Sequence, residues 1–282
     1  ASGEARRLDG STPTAPPDPT GPADEPGVPP AGVAAPAVTA PPPGMLPPRR
    51  MTVVAGAVWT PDPATGTMRR YALDSGQPTA AIDQPVAEVA ATADALWTVS
   101  TNSFRNAWSL DRRDPITGAV VASAPVRQGG VTAGSEGVWY ADGSLAGGRL
   151  SRVDPATLAL GGSFDVDLPQ HSDELVTTGG RVWWIGRDDL TSLDLTDGRV
   201  AVAPLPGNPE AMAADATGLW TTHGQEAVVR RIEGGRVVRT VDVPEGYWDV
   251  ALTTDGAVWL AGRGPGGAAP QVIRLDPAAT GG

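Results

Sequence analysis

Six tryptophans, at positions 59, 97, 139, 183, 220 and 259, recur 37 to 44 residues apart, each directly after a Val or Leu. The surrounding grammar repeats with them. An alternating stretch such as "ELVTTGG" or "DVALTTDG" precedes the Trp segment, and a variable loop follows it. Then comes a segment ending in an Asp corner ("RYALDSG", "LSRVDPATL", "SLDLTDG") and a last extended stretch such as "RVAVAPL" or "RVVRTVDV". The Asp-Pro and Asp-Gly corners are turn chemistry, because Pro presets φ and Gly accepts positive φ. A period near 40 built from four such extended segments predicts an all-β protein, a six-bladed β-propeller of four-stranded antiparallel blades.

Composition agrees with this class. The chain of 282 residues has Gly 36 and Pro 29, too many helix breakers for a helical protein, and 40% hydrophobic residues, enough for a large core. It contains no Cys and no Lys, which excludes disulfides, zinc–thiolate sites, thiol nucleophiles, lysine Schiff bases and a P-loop lysine. A formal charge of −11 argues against nucleic acid as a partner. No apolar run reaches the ~20 residues of a membrane span, so this segment is not expected to insert.

Two regions differ in character. Residues 1–31, rich in Pro, Ala, Gly, Asp and Thr, have little to bury and read as a disordered linker or stalk. Residues 32–282 read as the propeller. Its last unit has only three of the four segments, and "GVAAPAVTA" upstream of Trp59 resembles the missing one. The expectation is therefore that an N-terminal strand, Val33 to Val38, completes blade six and removes two exposed sheet edges. The chain opens at Ala1 rather than Met, which reads as a processed or excised segment.

The unit G-x-[VL]-W followed by [RI]-x-D-P-x-T-G-x-V resembles the NHL, virginiamycin B lyase-like and YVTN-type propeller repeats of bacterial secreted or surface-anchored proteins. The resemblance covers residues 32–282. It implies a location outside the cytoplasm, secreted or tethered to the cell surface. In the lyase branch it implies His and Glu residues near the ring centre with a divalent metal; His171 and His223 match no lyase motif residue by residue.

One Trp per blade at one fixed place is what core material looks like, and packing is the expected role of the six. Trp184 is expected to point away from Trp183, since side chains alternate along a strand. Tyr247 and Trp248, in "PEGYWDV", are read as an exposed contact, and Trp108 as a further contact in a structural assembly.

In a propeller the inner strands begin at the mouth of the axial channel, on the face that also carries the connections between blades and the loops after the Trp strands. Counting back nine and ten residues from each Trp gives Glu88, Asp173, Glu174, Glu210 and Asp249, with Arg49 and Arg50 on the blade-one side. Gathered carboxylates raise one another's pKa or recruit a cation. A metal set of Asp173, Glu174, Glu210 and Asp249, holding Ca or another divalent cation, or an acidic pocket for a basic ligand, is one expectation. A solvated acidic rim, with salt bridges to Arg187 and Arg50, is the other. Loops and connections add His171, Arg187, Asp188, Asp189, His223 and Glu226 to the same face.

Other chemistry finds no support. There is no G-x-S-x-G elbow, and "DVDLPQHSDE" has Gln170 where a calcium loop requires Gly. The expectation is a non-catalytic propeller that binds a protein or small-molecule ligand through its loop-bearing face. The alternatives are a metal-dependent lyase- or lactonase-like enzyme and a structural unit of a surface assembly.

Overall fold

The computed structural model describes residues 6–8, 50–62, 67–102, 107–143, 148–166, 174–186, 188–253, 256–263 and 270–275. All regular structure among them is β, in six four-stranded antiparallel sheets. Blade one is β2 (Thr52–Val54), β3 (Ala57–Asp62), β4 (Thr67–Ala72) and β5 (Pro78–Ile82). Blade two is β6 (Val86–Thr92), β7 (Ala95–Asn102), β8 (Ala107–Arg113) and β9 (Val120–Val126). Blade three is β10 (Gly129–Gly134), β11 (Gly137–Asp142), β12 (Gly148–Val153) and β13 (Leu160–Val166). Blade four is β14 (Leu175–Thr178), β15 (Arg181–Ile185), β16 (Asp189–Asp194) and β17 (Val200–Pro204). Blade five is β18 (Ala211–Ala214), β19 (Leu219–His223), β20 (Val228–Glu233) and β21 (Arg236–Asp242). Blade six is β22 (Tyr247–Leu252), β23 (Val258–Arg263), β24 (Pro270–Leu275) and, as its outer strand, β1 (Arg6–Leu8).

The closing strand therefore comes from the N-terminal side, but from another segment than the sequence pattern indicates. Arg6, Arg7 and Leu8 pair with Arg274, Ile273 and Val272, inside the stretch read as a linker. Val33–Val38 lies outside the described residues. An outer strand needs only backbone donors and acceptors to extend a ladder, so its side-chain pattern is a weak guide to which segment is recruited.

Six clusters of buried side chains make up the core, one between each pair of neighbouring blades. Trp59 packs with Val86, Val89 and Leu96 of blade two, and Trp97 with Val131 and Tyr140 of blade three. Trp259 packs with Met51 and Val58 of blade one, which brings the ring back to its start. Five of the six repeat tryptophans are at most 5% exposed. The sixth, Trp183, is only partly buried, while its neighbour Trp184 is 3% exposed. Alternation separates the two: Trp184 joins the cluster shared with blade three, and Trp183 faces that shared with blade five.

The corners after the third strands of blades two and three are held by their own aspartates. The amides of Ile116 and Thr117 donate to Asp114 Oδ1 at 3.0 and 2.7 Å, and those of Ala156 and Thr157 donate to Asp154 Oδ1, both at 2.9 Å. These bonds stabilise the ionised carboxylates and hold both below the usual range.

Candidate functional site

At the start of the innermost strands, the positions nine or ten residues before each repeat Trp are Arg50, Glu88, Gly130, Glu174, Glu210 and Asp249. In blades two and six a β-bulge precedes the acid: the register shifts between Val86 and Glu88 and between Tyr247 and Asp249. A bulge re-aims the side chain after it, and here it does so beside the axis.

Arg50 joins the inner strands of blades two, three and four to that of blade one. It is 6% exposed, and its guanidinium donates to the carbonyls of Val131, at 3.0 Å, and Leu175. It also lies 3.9 Å from Glu88 Oε2 and 3.8 Å from Glu174 Oε2. Glu174 Oε2 in turn accepts from the Met212 amide of blade five at 3.2 Å. Glu88 and Glu174 are thereby engaged with a cation inside the ring. These contacts are buried, unlike the solvated rim read from sequence: Arg50 is 6% and Glu88 5% exposed.

Asp249 completes the cluster. It is 2% exposed; its Oδ1 accepts from the Val250 amide at 2.8 Å, and its Oδ2 has no hydrogen-bond partner among the described residues. Burial, then the charge of Glu174, push its pKa well above the usual carboxylate value, against the amides of Val250 and Met51 and the charge of Arg50. The protonated form is favoured, which leaves the cluster with fewer negative charges than its three carboxyl groups could carry.

Glu210 is half-buried and lies close to the backbone of Gly224, where an added Cβ would come 2.6 Å from Glu210 Oε2. His223 is fully buried, which corrects its placement as an exposed ligand on the loop face. Its Nε2 lies 2.9 Å from Thr221 Oγ1, and its Nδ1 lies 3.0 Å from the Gly207 carbonyl and 2.8 Å from Arg230 Nη1. The tautomer that accepts from Arg230 and donates to Thr221 satisfies both ring nitrogens. Burial lowers its pKa, and Arg230 adds to that against the Gly207 carbonyl. Arg230 is held by Glu226 at 2.5 Å and by the Pro206 carbonyl at 2.8 Å, so Glu226 also serves an internal pair.

Asp188 is exposed on the loop face, and Asp189 is half-buried with its carboxylate accepting from Thr191 Oγ1 at 3.2 Å. Tyr247 is 3% exposed and packs in the core between blades five and six, which overturns its reading as a surface contact. The bulge at Trp248 explains the reversal, since an extra residue inverts the alternation read from sequence. Trp108 is partly buried against the core of blades two and three. His171, Asp173 and Arg187 lie outside the described residues. Among the described residues, no three or more Asp, Glu and His side chains are grouped as metal ligands would be.

The sequence reading passes over one buried polar network, in blade two. Arg113 and Asp111 are 4% and 2% exposed and pair at 2.8 Å. Arg113 Nε donates to Thr98 Oγ1 at 2.9 Å, Nη1 donates to the Gly118 carbonyl at 2.9 Å, and Ser123 Oγ donates to Asp111 Oδ1 at 2.6 Å. Its only sequence signal is "LDRRDP", where the acid–base alternation is indistinguishable from that of a solvated strand.

No family model matches the chain, and no curated protein matches it in sequence. Among solved structures it is similar to the calcium-binding protein regucalcin from Agrobacterium tumefaciens, with TM-score 0.59 and 14% identity over 82% of this chain and 90% of that one. It is also similar to hydrazine synthase of Kuenenia stuttgartiensis, with TM-score 0.56 and 13% identity over 86% of this chain and 99% of that one. A luciferin-regenerating enzyme gives TM-score 0.53 and 14% identity over 78% and 87%. At such identities the likeness is one of fold.

Proposed function

We propose that the chain is a non-catalytic binding module of the bacterial extracytoplasmic propeller kind that its repeat resembles, engaging a protein or small-molecule ligand with its loop-bearing face. One observation carries the reading: among the described residues, the groups best suited to catalysis, His223, Glu88 and Glu174, are already committed to internal bonds. His223 is buried between Thr221, Gly207 and Arg230, and Glu88 and Glu174 hold Arg50 inside the ring. Exposed acids such as Asp83, Asp188 and Glu245 remain on the loop-bearing face of a rigid scaffold. With a formal charge of −11, the partner best matched in electrostatics presents basic residues.

Photo-crosslinking in the native host tests this. A photoreactive residue at Asp188 should capture one salt-sensitive adduct, and the same residue at Asp197, exposed on the opposite face, should not. Identical adduct patterns from both positions would refute the assignment of the loop face. Periplasmic or surface fractionation of the host tests the proposed location.

A further inference from the structure

Cross-strand register sets each repeat tryptophan opposite one residue of its blade's third strand. That residue is arginine in five blades: Trp59 faces Arg70, Trp97 faces Arg112, Trp139 faces Arg152, Trp220 faces Arg231 and Trp259 faces Arg274. The long side chain can cover the indole, and the Arg231 guanidinium lies 5.6 Å from the Trp220 ring centroid. In blade four Trp183 faces Ser192, which is too short to cover it.

A second departure falls at the same place. In blades one, two and three the turn between the third and fourth strands lies over the Trp of the preceding blade, or against the cluster that holds it. The turn of blade two rests on Trp59, whose Nε1 donates to the Pro115 carbonyl at 3.0 Å, and a Cβ on Gly118 would stand 2.8 Å from the indole. Leu158 of the corresponding turn of blade three is buried with Trp97, and Leu73 of blade one packs against the cluster that holds Trp259. In blade five the turn is only Gly234–Gly235, and a Cβ on Gly235 would meet no more than Ala203 Cβ, at 3.4 Å.

Loss of both covers opens a groove of about 410 Å³ between blades four and five, with Trp183 partly exposed in it. Leu190, Val202, Leu219 and Ile232 make it apolar, and Arg181 lies at its edge with a side chain that is 38% exposed.

We propose that this groove docks a proline-led peptide turn of the Asp-Pro-x-Thr type, carrying one aliphatic side chain, from a partner protein. The chain itself places such turns at the equivalent positions over Trp59 and Trp97. Charge matches as well. Arg181 supplies a guanidinium at this groove for the acid of such a turn; it also donates to Ser192 Oγ at 3.3 Å and pairs with Asp194 at 3.3 Å. The groove lies on the face opposite the proposed ligand-binding loops, so the two assignments stand or fall separately.

The test titrates a labelled peptide, RVDPATLAL, copying residues 152–160, into the full chain, with a scrambled peptide as control. Two variants fill the groove from within: Ser192→Arg restores the missing arginine, and replacement of Gly234–Gly235 by Asp-Pro-Ala-Thr-Leu-Ala restores the missing turn. Saturable binding to the parent chain should weaken at least tenfold in both, with a circular dichroism spectrum unchanged and a Tm no lower than the parent's. Absence of saturable binding, equal binding of the scrambled peptide, or undiminished binding to Ser192→Arg would overturn the proposal. So would self-association of the parent chain that Ser192→Arg abolishes, because the groove would then belong to a second copy of the chain.

Discussion

Arg50 Nε and Glu174 Oε2 stand 3.8 Å apart although their strands belong to blades one and four of six. A single side chain thus ties opposite sides of the ring, through Glu174 and through the Val131 and Leu175 carbonyls. Truncating one member of a buried ionic cluster leaves the others uncompensated, so Arg50→Met should cost about 3–5 kcal/mol. Adding Glu88→Gln and Glu174→Gln to Arg50→Met should recover part of that loss, because the stranded charges go with them. Urea unfolding of the single and triple variants measures it; additive losses would mean that the three side chains act independently.

Asp249 should make stability fall as the pH rises. Its folded pKa lies well above the ordinary carboxylate value, 3.8, so the fold takes up a proton that the unfolded chain releases. The contribution is fully present below pH 3.8 and is lost as the pH climbs through the folded value. Asp249→Asn keeps the shape of the protonated acid and cannot ionise. The variant should be more stable than the parent at pH 8, with a gap that narrows toward pH 4. Parallel Tm curves from pH 4 to 8 would show that Asp249 does not carry this dependence.

The fold was legible because blades are made by repetition: Val/Leu-Trp and the Asp corners recur, and among the described residues they mark the same strand and the same turn. What failed were the places where one residue breaks the repeat. The bulge at Trp248 turned Tyr247 into the core, and an outer strand identified by its Val pattern proved to be Arg6–Leu8, chosen by backbone pairing alone. At the site, the gathering of Glu88, Glu174 and Asp249 was readable from spacing. The burial of His223 was not, because it depends on Gly207 and Arg230, 16 and 7 residues away. Ser192 opposite Trp183 stands plainly in the sequence, but its meaning needs the register.

If β1 closes blade six, its loss should be felt and loss of the following residues should not. Deleting residues 1–9 removes three paired positions and bares β24 as an edge. At about 0.5–1.5 kcal/mol per net hydrogen bond, that should cost about 1–3 kcal/mol and promote self-association. Excising residues 10–31 instead leaves the three paired positions of β1 in the chain, and the loop-closure entropy of a shorter link changes by less than about 1 kcal/mol. Calorimetry with sedimentation separates the two deletions; equal Tm values would argue against the strand.

Trp97 and Trp183 occupy the same place in blades two and four, yet one is 1% exposed and the other partly exposed over the blade-five groove. Truncating a buried tryptophan removes its transfer free energy and leaves a cavity, so Trp97→Ala should cost about 3–5 kcal/mol. Trp183 has lost both its arginine and its covering turn, and Ala there leaves an opening that water can already reach. Trp183→Ala should therefore cost about 1–2 kcal/mol on area grounds. Urea denaturation followed by far-UV circular dichroism compares the pair directly. A Trp183→Ala loss equal to that of Trp97→Ala would show that the indole is core material and that the groove over it is closed in solution.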